Sequence, residues 1–179
     1  MTNSVDTPAA IPLPASSSSQ DPLYYEDCHP GRRIAHVRGR TVTEMDNVLL
    51  THLTMNTAQA HFNEVEMRGT NFGQRLVFGG ITASLVLGLA SEDTAAHAVA
   101  ELSLDRLRLK APVFHGDTIM AFTEVIAAEL DPDRPDAGRV RFRHWGLNQR
   151  DEIVCEAERT ALLRRRPKSG TQASSESAR

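Results

Sequence analysis

The sequence predicts an α+β domain in which a curved antiparallel sheet surrounds one central apolar helix, and three observations lead there. Val77 to Ala90 reads Val-Phe-Gly-Gly-Ile-Thr-Ala-Ser-Leu-Val-Leu-Gly-Leu-Ala, with no charged residue on any face, so other elements must cover it. Four segments after it read as strands: Ala98 to Lys110, Thr118 to Leu130, Arg139 to Asn148 and Ile153 to Leu163. Both ends of the chain, residues 1–21 and 167–179, are Ser-rich, polar and aperiodic, which marks them as disordered tails around one domain at 22–166.

Taken in order, Arg33 to Thr43 mixes Ile34, Val37 and Val42 with polar residues and reads as a first extended segment. Thr43 then offers an N-cap hydroxyl with Asp46 three positions later, a capping-box-like start for a short helix through Leu49, Leu50 and Leu53 that ends in the Asn56 loop. The apolar run from Val77 is long enough for about three to four helical turns. In the next segment Leu102 and Leu104 change phase to Leu107 and Leu109, which predicts a bulge or bend at Asp105-Arg106. Asn148-Gln149-Arg150-Asp151 separates the last two strands as a hairpin turn would. In the final strand Ile153, Cys155, Ala157, Arg159, Ala161 and Leu163 share one face.

A chain of 179 residues with 40% hydrophobic content can bury one core. The net charge of −3 gives no reason to expect a nucleic-acid partner and leaves a phosphate-bearing small molecule open. Cys28 and Cys155 lie too far apart for a zinc or redox motif and are expected to be reduced. Pro12, Pro14 and the serines at 16–19 interrupt any secretory apolar core, and no run reaches transmembrane length, so the expected location is cytoplasmic. Arg164-Arg165-Arg166 with Lys168 reads as a solvated strand end, with a phosphate contact as the alternative.

The chemistry-bearing pattern is Asn56 and His61, five residues apart, followed by Gly79-Gly80 at the mouth of the apolar stretch. It points to a water-holding pair facing an oxyanion-binding helix start, as hydration of an acyl thioester requires. A glycine at a helix start leaves its N–H unpaired and unshielded at the positive end of the helix dipole. The competing reading is close packing of the helix on a strand. His61, one of seven histidines, exchanges protons near neutral pH; beside Phe62 it also fits a structural role. Asn56 can orient water but takes no proton as a carboxylate does. Ser84 faces either the acyl pocket or its own preceding carbonyl. Asp46 fits a helix-start acid, and Gly116-Asp117 a strand-connecting turn. Lys110 and Arg108 fit either the phosphates of a bound small molecule or a wet strand face.

These residues resemble the MaoC-like, (R)-specific enoyl-CoA hydratase family. The likeness rests on Thr41 to Asp46, the Asn56 to His61 loop, Thr70-Asn71-Phe72-Gly73, Val77-Phe78-Gly79, and Leu107 to Thr118 with its Gly-Asp-Thr turn, and it covers about Leu23 to Leu163. Thr54-Met55-Asn56-Thr57 and Gly146-Leu147-Asn148-Gln149 further resemble a subgroup near mesaconyl-CoA and β-methylmalyl-CoA hydratases. Three positions depart from the family pattern: Asn56 stands where it has Asp, Gln59 where it has Pro, and Phe78 where a His is common.

The resemblance implies a single hot-dog fold and hydration of a short or branched 2-enoyl-CoA, with a mesaconyl or itaconyl acyl group as one variant. His61, Asn56 and Gly79 are then the expected catalytic set, and Gly80, Phe78, Ser84 and Lys110 the expected substrate-binding residues. No metal or redox cofactor is implied, and the expected partners are the acyl-CoA and a second copy in a homodimer. Three alternatives stand beside it: a non-catalytic acyl-thioester binder, a dehydratase of acyl-carrier-protein thioesters, and a thioesterase, which would want an acid on the central helix.

Overall fold

The computed structural model describes residues 22–167. The expected tails therefore lie outside the described residues, except for Pro167. A single 3-10 turn, Tyr25–Asp27, leads into strand β1, Arg33–Thr41. Helix α1, Glu44–Leu53, follows, then a 3-10 turn at Gln59–His61, the short helix α2 at Glu64–Arg68, and the central helix α3 at Gly79–Ala95. Four strands complete the domain: β2 Ala98–Leu109, β3 Thr118–Leu130, β4 Ala137–Leu147 and β5 Ile153–Arg164.

The five strands form one antiparallel sheet in the order β1-β3-β4-β5-β2, with α3 packed against it. This is the hot-dog arrangement. Thr123 faces His144, and His144 faces Ala157, so the inward positions of β3, β4 and β5 line up in rows under α3. The β2–β5 register slips between Asp105 and Arg108, where Arg106 takes a φ of 49°; the bulge lies where the phase of the leucines changes. Gly146 lets the helix approach closely, because a Cβ there would run into Val86 of α3.

Two details of α3 differ from the sequence expectation. First, α3 continues past Ala90 to Ala95 and so carries Glu92 and Asp93 in its last turn. These acids are paired, Glu92 with Arg38 and Asp93 with His36, so the charges do not stop the helix. Second, α3 is covered on the sheet side through Ile81, Ala83, Val86 and Ala90, while Ser84 and Gly88 remain exposed on the other. Helix α1 has its capping box as expected, Thr43 Oγ1 accepting the Asp46 N–H at 3.1 Å and Asp46 accepting the Thr43 N–H at 2.9 Å. Its polarity is inverted, however. Met45, Leu49 and Leu53 are 74%, 52% and 70% exposed, and the buried residues are Asn47 and Thr51.

The interior holds two apolar clusters. One gathers Val42, Val77, Ile81, Val86, Ile119 and Val154; the other gathers Leu23, Ile34, Val125, Val140, Phe142 and Leu163. Between them, by strand register, lies a buried polar row. His144 Nδ1 is 2.8 Å from Thr123 Oγ1, which is 2.7 Å from His36 Nε2, and His36 Nδ1 is 2.5 Å from Asp93 Oδ2. The carboxylate accepts only, so the donors run in one direction from His144 through Thr123 and His36 to Asp93. Buried Arg159 donates to Thr94 and stacks its guanidinium 5.5 Å from the Phe142 ring centre. Cys28 and Cys155 are free, buried in different clusters, and burial pushes their thiols up to about 12 and about 11.

Gly116-Asp117 forms the turn into β3. Gly116 has a φ of 90°, and Asp117 accepts the Phe114 N–H at 2.9 Å, Gln149 Nε2 at 2.6 Å and Arg150 at 3.0 Å. Burial alone would raise the Asp117 carboxyl, but these donors hold it below its usual value. At the chain end, Arg165 bonds Glu26 and Arg166 bonds Asp27, so these two members of the basic cluster tie β5 to the first turn; Lys168 lies outside the described residues.

Candidate active site

The His61 loop is built from local hydrogen bonds. Asn56 Oδ1 accepts the Ala58 N–H at 3.0 Å, bending the chain into the Gln59–His61 turn, which closes with His61 N–H on the Ala58 carbonyl at 3.1 Å. Leu76 N–H then bonds the Ala60 carbonyl at 2.9 Å and Val77 N–H bonds the Val113 carbonyl at 2.9 Å. The loop, the entry to α3 and the segment after β2 are thereby drawn together around one cavity.

That cavity measures about 490 Å³ and brings together His61, Phe78, Gly79, Gly80 and Lys110. Leu76, Val113 and Leu109 supply much of its apolar wall, with Phe72 and Thr82. The His61 ring lies 5.5 Å from the Phe78 ring, centre to centre. Its Nδ1 is 2.9 Å from the Leu76 carbonyl oxygen, which can only accept. The neutral ring therefore carries its proton on Nδ1, and Nε2 keeps a lone pair for reaction.

Beside the imidazole, Phe78 is the N-cap of α3 and its side chain gives no capping bond. The N–H groups of Gly79 and Gly80, both on the cavity, thus occupy the uncapped first turn, with the helix dipole behind them. Both glycines are also sterically required. A Cβ on Gly79 would meet the Leu109 side chain, and one on Gly80 would come within 2.6 Å of the Phe78 ring. The packing reading of these glycines is met in this geometry.

Two sequence-predicted site residues are not brought to the cavity. Asn56 is used inside its own loop, and its side chain is absent from the lining. Ser84 is exposed, and its hydroxyl donates back to the Gly80 carbonyl at 2.8 Å. Arg108 lines a separate depression with Arg106, Arg143 and Glu156. The two acids on the central helix, Glu92 and Asp93, pair with Arg38 and His36 and line no part of the cavity.

Sequence reasoning missed Asn47 and His115. Asn47 sits fully buried directly behind the His61 loop, and His115 Nε2 is 3.0 Å from its Nδ2. Burial and the nearby Arg75 hold His115 below the ordinary imidazole value, against Glu44 and Glu64, which favour its charged form. The available signal was the pair Asn47 and Thr51, one helical turn apart on the face opposite the leucines.

One apolar-walled cavity thus holds an imidazole whose Nε2 has no hydrogen bond among the described residues and the uncapped start of a helix. Comparisons with known proteins identify the class. The family model for mesaconyl-CoA hydratase matches residues 26–165. A β-methylmalyl-CoA dehydratase of Chloroflexus aurantiacus is 38% identical over 119 residues, covering 66% of this chain and 34% of that protein. A mesaconyl-CoA hydratase of Haloarcula marismortui is 31% identical over 163 residues, covering 86% and 45%. The crystal structure of a MaoC domain protein from Chloroflexus aurantiacus superposes with a TM-score of 0.75 at 31% identity, covering 81% of this chain and 45% of that one. The chain belongs to the MaoC-like hydratase family. It spans less than half the length of these three relatives.

Proposed function

We propose that the protein is a hydratase/dehydratase of 2-enoyl-CoA thioesters with short or branched acyl groups. The single observation that carries this reading is the shared cavity of the His61 ring and the open amides of Gly79 and Gly80. With the thioester oxygen at those amides, His61 Nε2 takes a proton from water as the water oxygen bonds to the β-carbon. The negative charge collects on the thioester oxygen, where the amides and the helix dipole stabilise it. The imidazolium then returns the proton to the α-carbon, and dehydration runs the same steps in reverse. Asn56 serves here by shaping the turn that presents His61.

The names of the relatives support CoA as the thiol and a mesaconyl- or methylmalyl-type acyl group as the finer substrate. Lys110 is the cation on the cavity wall and suits either a second carboxylate or a CoA phosphate. A second copy of the chain is the proposed partner. The relatives are more than twice the length of the matched region, and β2 leaves a sheet edge on which Leu102, Leu104, Leu107 and Leu109 are about half exposed.

The test is loss of enone absorbance with crotonyl-CoA, mesaconyl-CoA and itaconyl-CoA. Turnover of at least one, abolished in His61→Ala, is the expected result. Tight binding of all three without any absorbance change would instead establish a non-catalytic acyl-thioester binder, a second reading favoured by Asn56 lying off the cavity.

A further inference from the structure

Asn47 lies under the site, fully buried on α1, and each end of its carboxamide is occupied. Its Oδ1 accepts the Phe78 N–H at 3.0 Å and the Thr51 hydroxyl at 3.3 Å. Its Nδ2 donates toward the His61 carbonyl at 3.2 Å, the Leu76 carbonyl at 3.3 Å and His115 Nε2 at 3.0 Å. The Phe78 N–H can only donate, so the carboxamide has one permitted orientation, with its oxygen toward α3 and its nitrogen toward the His61 loop. Three acceptors share two hydrogens.

These partners are the parts of the site that need mutual registry. His61 carries the imidazole. The Leu76 carbonyl receives that imidazole's Nδ1–H at 2.9 Å. Phe78 immediately precedes the open amide of Gly79. We propose that Asn47 is a positioning residue, whose single carboxamide clamps the His61 loop to the start of α3 and shares the Leu76 carbonyl with the His61 ring.

The catalytic importance of Asn47 rests on the hydratase reading; its hold on His61 does not.

The experiment uses the full chain labelled with ¹⁵N histidine and compares wild type, Asn47→Ala and Asn47→Asp. Both variants lose the donors, and the aspartate keeps the acceptor for Phe78. The expected result is a lower population of the His61 Nδ1–H tautomer in both variants, because the Leu76 carbonyl is no longer held beside the ring. The kcat for a turned-over enoyl-CoA should fall about tenfold or more while KM changes little, as a misplaced reacting group predicts. Folded variants whose His61 tautomer matches wild type would overturn the proposal. If neither variant folds, scalar couplings across the hydrogen bonds from the Asn47 side-chain amide to the His61 and Leu76 carbonyls in wild type decide it, and their absence overturns it. Failure of wild type to hydrate any enoyl-CoA sinks the hydratase reading alone, since the NMR result stands without substrate.

Discussion

His61 Nδ1 donates to the main-chain carbonyl of Leu76, 2.9 Å away and fifteen positions further along the chain. This bond assigns the two ring nitrogens their separate roles: one is anchored and one is available. Replacing His61 with Ala is expected to lower kcat by about 10²–10⁴, the usual worth of a positioned general acid/base. A glutamine there keeps a donor for Leu76 but has no titrating nitrogen, so it should be equally inactive while retaining acyl-CoA affinity. Calorimetric binding alongside the absorbance assay separates the two effects.

Gly80→Ala tests the helix start without touching the imidazole. The new methyl would sit 2.6 Å from the Phe78 ring, forcing that ring into the cavity. A destabilisation of about 1–3 kcal/mol is expected from overpacking, with a rise in KM as the acyl wall closes. Thermal unfolding and steady-state kinetics measure both.

The polar row through the core is open to an isosteric test. Thr123→Val keeps the volume but deprives His36 Nε2 of a donor and His144 Nδ1 of an acceptor, both in a fully buried place. Leaving buried groups unsatisfied should cost about 1–3 kcal/mol each, read as a lower urea midpoint at unchanged slope.

The same row sets an acid limit on stability. Burial depresses His36 and His144; Arg159 adds to this in both, while Asp93 opposes it in His36. Below the ordinary imidazole value of 6.5 the unfolded chain takes up protons that the folded chain refuses. Stability from these groups is therefore complete above about pH 6.5, declines as pH falls, and is gone once pH passes the lowered folded values. Urea titrations at a series of pH values should show the midpoint falling in that window, less steeply in His144→Asn.

Association is tested at the β2 edge. Leu104 is 50% exposed, and Leu104→Asp is expected to turn a dimer into a monomer in light scattering after size exclusion. Leu109, next on that edge, packs against Gly79 in the cavity wall, so the monomer should also lose activity.

Much of the fold was legible because its signals are local. The strands show period two, the leucine phase change coincides with the bulge at Arg106, and Thr43 with Asp46 announces α1. For the candidate site, the sequence singles out His61 and the two glycines, and the fold brings them to one cavity. What escaped depends on tertiary compensation. Met45, Leu49 and Leu53 form a helical stripe that reads as a core face, yet Asn47 and Thr51 point inward because their hydrogen bonds are completed by Phe78, Leu76 and His61, residues far along the chain. Asp93 likewise reads as a helix stop until His36 is seen beside it. Asn56 has the right spacing for a site residue and an equally good use as a turn former, and spacing alone does not choose between them.

Helix α3 has its first turn at the His61 cavity and its last turn in the polar row, through Thr94 to Arg159 and Asp93 to His36. Its 17 residues span about 25 Å. A rod moored at its tail resists sliding lengthwise, so, under the proposed hydratase reading, the reach of Gly79 and Gly80 toward an acyl carbonyl would be set from the far side of the domain, by side chains off the cavity.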